Sequence, residues 1–161
     1  EYELSFPEFA VKKVNTADLE YGALEMEYAA QILAIRYLLR GTAVDSTGNF
    51  KTYRDFPWGE TYFQQFYGRC IMRLAFSYGN KQDLFAEAME KIGAKKIESG
   101  DIAYEFEFMN NLYVRFILWA GDEEFPPSAQ ILFADNMSFA FEAEDLAVVG
   151  DISIGTLKKM A

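Results

Sequence analysis

Apolar positions along this chain switch between a spacing near 3.6 and a spacing near 2, and the switches mark out the elements. Residues 1–14 read as one or two short strands broken near Pro7, and residues 15–18 are turn-like. Leu24, Tyr28, Ile32, Ile35, Leu38 and Leu39 then recur at helical spacing, which predicts a helix over about 24–40. Glu25 and Glu27 near its start and Arg36 and Arg40 near its end suit the helix dipole, and Gly41 stops it. A loop follows with Asp45-Ser46-Thr47-Gly48-Asn49 at its tip, and then a short extended piece over 50–56. Pro57-Trp58-Gly59 opens a second helix over 60–78, striped by Phe63, Phe66, Tyr67, Cys70, Ile71, Leu74 and Tyr78. Gly79 breaks it, Asn80 is placed to cap a third helix over 82–92, and Gly93 ends that one. Leu84, Phe85, Ala88, Met89 and Ile92 are its expected buried face.

The period then becomes alternating. Ile102, Tyr104, Phe106 and Phe108 point one way and Ala103, Glu105 and Glu107 the other, as in a half-buried strand. Asn110-Asn111 is a hairpin turn, and residues 112–119, apolar on both faces except for Arg115, form a central strand. Residues 129–133 are a third strand, Asp135-Asn136 a turn, residues 139–141 a further pairing segment, and residues 142–161 partly helical. The order predicts an α+β fold in one domain: an antiparallel sheet with a helical N-terminal half packed against it. The chain begins inside strand-like sequence, which points to an upstream segment.

Composition narrows the chemistry. With 51% hydrophobic and 17% aromatic residues, material for a full core is available, and the aromatics could also pave a pocket for a flat ligand. The net charge of −10 opposes binding to phosphate backbones and to anionic membranes. The charge is uneven: residues 1–27 net −5, residues 28–80 net +3 and residues 81–161 net −8. The basic middle could face an acidic ligand or the acidic remainder of its own fold. The chain contains no histidine and one cysteine, which excludes His-based triads, intrachain disulfides and a Cys-cluster metal site made by this chain alone. Cys70 sits on an apolar helical stripe and reads as a buried, inert thiol. No apolar run reaches the about 18 residues that a membrane span needs, no signal peptide is visible, and a cytoplasmic location is the default.

Two segments could carry chemistry. Asp122, Glu123 and Glu124 follow Gly121 and precede Pro126-Pro127; adjacent carboxylates could hold a divalent metal, with Asp135 and Glu142 adding ligands, or act as an acid/base pair. The same residues could equally form a solvated turn. The second segment is Tyr53-Arg54-Asp55-Phe56-Pro57-Trp58-Gly59, followed by Tyr62, Arg69 and Arg73 on the helix. Arginine forks grip carboxylate or phosphate, so Arg54, Arg69 and Arg73 with the rings of Trp58, Tyr62 and Trp119 form a candidate site for a small anionic or cofactor-like ligand. The alternative is internal pairing, as of Arg54 with Asp122 or Glu123. No phosphate-loop, nucleophile-elbow, zincin or dinucleotide motif is present.

Residues 35–39, the Tyr53–Gly59 segment, residues 62–69 and Leu118-Trp119-Ala120-Gly121-Asp122-Glu123-Glu124-Phe125-Pro126-Pro127 together resemble a prokaryotic family catalogued as domain of unknown function 3786. Residues 129–133 and 144–146 share the likeness, which spans nearly the whole chain. The resemblance brings no activity with it and assigns no role to Arg54, Trp58, Asp122, Glu123 or Glu124. It implies an association with iron–sulfur proteins, since some relatives carry a cysteine-rich segment ahead of this domain. The functional expectation is a soluble binding or accessory domain for a small anionic ligand or an iron–sulfur partner protein. A metal-dependent enzyme using Asp122, Glu123 and Glu124, or an interaction subunit without a ligand, are the rivals.

Overall fold

A computed structural model of the chain describes residues 2–5, 7–8, 10–13 and 27–161. The first element is a small antiparallel hairpin, β1 (Tyr2–Leu4) paired with β2 (Val11–Lys13), with turn residues at Pro7 and Glu8. The turn expected at 15–18 and the first residues of the first helix, Leu24 included, lie outside the described residues.

The main sheet has five strands, all antiparallel to their neighbours: β3 (Phe50–Thr52), β4 (Lys95–Ile97), β5 (Ile102–Met109), β6 (Leu112–Trp119) and β7 (Ser128–Ala134). Their order is β3-β7-β6-β5-β4, which puts β6 in the centre, as its apolar faces predict. The β5–β6 turn is made by Asn110 (φ 46°) and Asn111 (φ 63°), both left-handed, as a tight hairpin of the primed kind requires. Lys95 and Lys96, expected as solvated surface, are exposed and form an unforeseen edge strand; paired lysines discourage further strand addition there.

The helices α1 (Tyr28–Arg40), α2 (Gly59–Phe66), α3 (Arg73–Tyr78), α4 (Gln82–Lys91), α5 (Met137–Ala140) and α6 (Ala143–Met160) come from both ends of the chain. The predicted second helix is one rod: α2 and α3 are joined by a π-helical segment, Tyr67–Met72. The rod packs against β7 on one side and α6 on another. At the crossing with α6, a Cβ on Gly150 would lie 3.0 Å from Cys70 Sγ, so this glycine lets the two helices approach closely. The result is a single compact α+β fold around one core cluster, in which Phe66, Leu74, Phe85, Phe116, Phe133, Leu146 and Leu157 are buried.

Four local expectations change. The stripe used to recognise α1 is not its buried face: Tyr28, Ile32, Leu38 and Leu39 are exposed, while Ala30 and Leu33 are buried. Arg36 flanks the inward side and reaches buried Asp145 of α6 at 2.9 Å; a buried carboxylate needs a partner, and that need orients the helix. The extended piece over 50–56 is a strand only to Thr52. Asp55 then accepts from the Thr52 amide (2.8 Å) and hydroxyl (2.7 Å), closing a 3-10 turn at Tyr53–Asp55. Asn80 does not cap α4; its Oδ1 accepts from the Gly121 amide at 2.8 Å and ties the acidic loop to the end of the rod. Residues 139–141 do not pair as a strand, because Met137 and Ala140 turn inward on the short α5 and are buried.

Candidate functional site

The 3-10 turn after β3 swings Tyr53 inward. Its ring stacks on Phe66 of α2 with centroids 4.0 Å apart and planes 4° from parallel. The Tyr53 hydroxyl donates to the Ala143 carbonyl at 2.9 Å, at the start of α6. Burial, reinforced by Cys70, Glu144 and Tyr62, pushes the Tyr53 phenol up to about 12. Gly59 begins α2 hard against this turn; a Cβ there would lie 1.9 Å from the Tyr53 carbonyl oxygen, so no larger residue fits without moving backbone. Trp58 precedes it in a left-handed conformation (φ 65°) with its indole exposed. The Tyr53–Phe66 pair is a wall, and both of its residues line a cleft on each side.

The first cleft, of about 360 Å3, lies between the rod and the β6–β7 strand pair. Arg54, Phe63, Trp119, Thr52 and Gln130 line it above an apolar floor that includes Ile131. The Arg54 guanidinium lies 3.8 Å over the Phe63 ring, a cation–π contact that holds its plane. Its ion pair is with Glu60, at 3.4 Å through Nε, and both side chains are largely exposed. Arg54 therefore does not pair with Asp122 or Glu123. Among the described residues, one cation and no carboxylate line this cleft.

The second cleft, of about 430 Å3, lies between α2, α1 and the start of α6. Arg36, Tyr62, Gln65, Arg69, Glu144 and Asp145 supply its polar groups, over Ala147 and Val148. Arg36 pairs with Asp145 at 2.9 Å and with Glu142 at 3.5 Å. Burial raises the Asp145 carboxyl above its ordinary value, against the opposing pull of the Glu142 amide and Arg36. Arg69 donates from Nε (3.1 Å) and a terminal nitrogen (2.6 Å) to one oxygen of Asp151, and Arg73 donates to the other. The π-helical turn, with its wider repeat, carries Arg69 on this side of the rod. Cys70, between them in sequence, is fully buried with its thiol facing the Ala147 carbonyl; burial pushes it up to about 12, as an inert thiol.

The acidic loop is closed on itself. Asp122 Oδ1 accepts from the amides of Glu124 (2.8 Å) and Phe125 (2.7 Å), which hold its carboxyl below the ordinary range, Phe125 most. The Asp122 amide donates to the Phe125 carbonyl, and Pro127 packs where a Cβ on Gly79 or Gly121 would stand. Glu123 and Glu124 project from this turn as exposed residues. Among the described residues, no group of three or more His, Cys, Asp or Glu could hold a metal ion.

Thus the sequence-predicted residues divide. Arg54 and Trp119 share the first cleft; Tyr62 and Arg69 share the second; Arg73 is bound to Asp151 beside it; Trp58 lines neither. Arg36, Gln65, Glu144 and Asp145 were not singled out as site residues. The one local signal was the Glu142-Ala143-Glu144-Asp145 run at a helix start, whose capping box uses Glu142 and Asp145 and leaves Glu144 without a partner among the described residues.

Residues 1–156 match the family model described as Domain of unknown function (DUF3786). No curated protein and no solved structure matches the chain. No helix among the described residues is long and apolar enough to cross a membrane.

Proposed function

We propose, from the premise that the chain belongs to the family described as Domain of unknown function (DUF3786), that it is a binding or accessory domain for a small anionic ligand with a flat apolar body. The ligand occupies the Arg54–Trp119 cleft. The observation that carries this reading is the charge of the lining: Arg54 is its one cation and no carboxylate lines the cleft among the described residues, beside aromatic surface. Arg54 meets Glu60 at 3.4 Å through Nε, and its terminal nitrogens make no hydrogen bond among the described residues, so they can serve a carboxylate or phosphate. Trp119 and Phe63 offer flat surface to the ligand body, and the Thr52 hydroxyl and Gln130 amide offer orienting hydrogen bonds.

Calorimetric titration with nucleoside monophosphates, flavin mononucleotide and aromatic carboxylates tests the reading. At least one class should bind saturably, and Arg54→Gln should weaken it by about tenfold while far-UV and near-UV dichroism stay unchanged. If Arg54→Gln unfolds the protein, the arginine is structural and the reading fails.

A second reading, as an interaction subunit, is favoured by the exposed apolar side of α1. Tyr28, Ile32 and Leu39 lie along one face of that helix and are 83%, 55% and 72% exposed. It expects self-association or a copurifying protein, lost on Leu39→Lys; a monomer that copurifies with nothing eliminates it.

A further inference from the structure

The second cleft carries opposite charges at its two ends, and we propose that it is a separate binding site for a bipolar small molecule: an ammonium and a carboxylate joined by an apolar chain. The acidic end is the first turn of α6. There Arg36 is already matched by Asp145 and Glu142, so the carboxylate of exposed Glu144 is in excess and has no partner among the described residues. The basic end lies further along α6, where Arg69 and Arg73 share the single carboxylate of Asp151. Two guanidinium groups on one carboxylate leave one positive charge unmatched. The remaining terminal nitrogen of Arg69 has no partner among the described residues, and Arg69 lines the cleft.

Glu144 and Asp151 lie two helical turns apart on α6, which separates the two ends by about 10 Å along the axis. Ala147 and Val148 lie between them and present apolar surface to the cleft. A ligand of one charge would leave one end unmatched, and desolvating an unmatched charge costs binding. A ligand with both charges matches both ends and lays its methylenes on the apolar middle. The side chains of Tyr62 and Gln65, on the α2 side, make no hydrogen bond among the described residues and can donate to the ligand carboxylate. The site is distinct from the Arg54–Trp119 cleft, since the buried Tyr53–Phe66 wall stands between them.

Titration of the full chain with ε-aminocaproate, followed by calorimetry and amide chemical shifts, tests the proposal, with caproate and hexylammonium as single-charge controls. Saturable binding of ε-aminocaproate is expected, with each control weaker by about tenfold. Glu144→Gln and Arg69→Gln should each weaken ε-aminocaproate by a similar factor, and Arg54→Gln should leave it unchanged. Glu144 is exposed, so its variant remains decisive if Arg69→Gln fails to fold. Absence of saturable binding, equal binding of either control, or indifference to Glu144→Gln would overturn the proposal. Loss of binding on Arg54→Gln would also overturn it, by placing the probe in the other cleft.

Discussion

The two clefts beside the Tyr53–Phe66 stack share a wall and differ in what holds their arginines. In the first, Arg54 lies on the Phe63 ring and meets one exposed carboxylate loosely. In the second, Arg36 and Arg69 are fixed by carboxylates of α6 at 2.9 Å and 2.6 Å. The same side chain is thus an open donor in one place and largely a structural tie in the other. An arginine's role in a site follows from its partners, because a fork already filled by a carboxylate has few donors left for a ligand.

The strongest way to break the comparison is to remove the wall. Phe66 is buried and lines both clefts. Phe66→Ala should cost about 3–5 kcal/mol in urea denaturation and abolish the difference between the clefts. A loss below about 1 kcal/mol would mean that the site does not depend on the stack.

A second test uses pH. The Tyr53 phenol rises from its ordinary 10.0 to about 12 in the fold. Because the folded value lies above the unfolded one, its contribution is fully present below about pH 10 and disappears as pH climbs toward 12, on the order of 2–3 kcal/mol. Tyr53→Phe should lose about 1 kcal/mol at neutral pH, from the hydrogen bond to Ala143, and flatten the alkaline limb. Denaturation curves for both proteins at neutral and strongly alkaline pH give the comparison, with Cys70 common to both. An equally steep alkaline loss in the variant would show that Tyr53 ionises freely.

The smallest effect in stability sharpens the contrast most in binding. Asp151→Asn releases Arg69 and Arg73 from a partly exposed carboxylate and should cost about 1 kcal/mol or less, shrinking with added salt. It should also strengthen the basic end of the second cleft, measurable as tighter binding of caproate than by the unaltered protein. If caproate binds no more tightly, the arginines of that cleft are not held in check by Asp151.

Much of this was legible along the chain where the information is local. The Asn110-Asn111 hairpin, the central strand and the buried thiol follow from neighbouring residues and their period. The acidic segment folds around Asp122 as an acceptor for its own loop amides. Where reading along the chain stops short, the cause is a distant partner. Asn80 looks like a cap until Gly121 claims it across 41 residues. The stripe on α1 marks the helix but not its buried side, which follows from Arg36 reaching a carboxylate more than a hundred residues later in the chain.

Sequence by itself determined the class of this protein: a helical rod and an antiparallel sheet around an aromatic core, with no histidine in the sequence and no intrachain disulfide. Period, turn chemistry and composition are properties of short stretches, so they survive without coordinates. Tertiary structure decided which arginines share a cleft, which face of α1 turns inward and which carboxylates are already matched. Those outcomes depend on pairing between residues far apart in the chain, and only the folded backbone brings such partners within hydrogen-bonding reach.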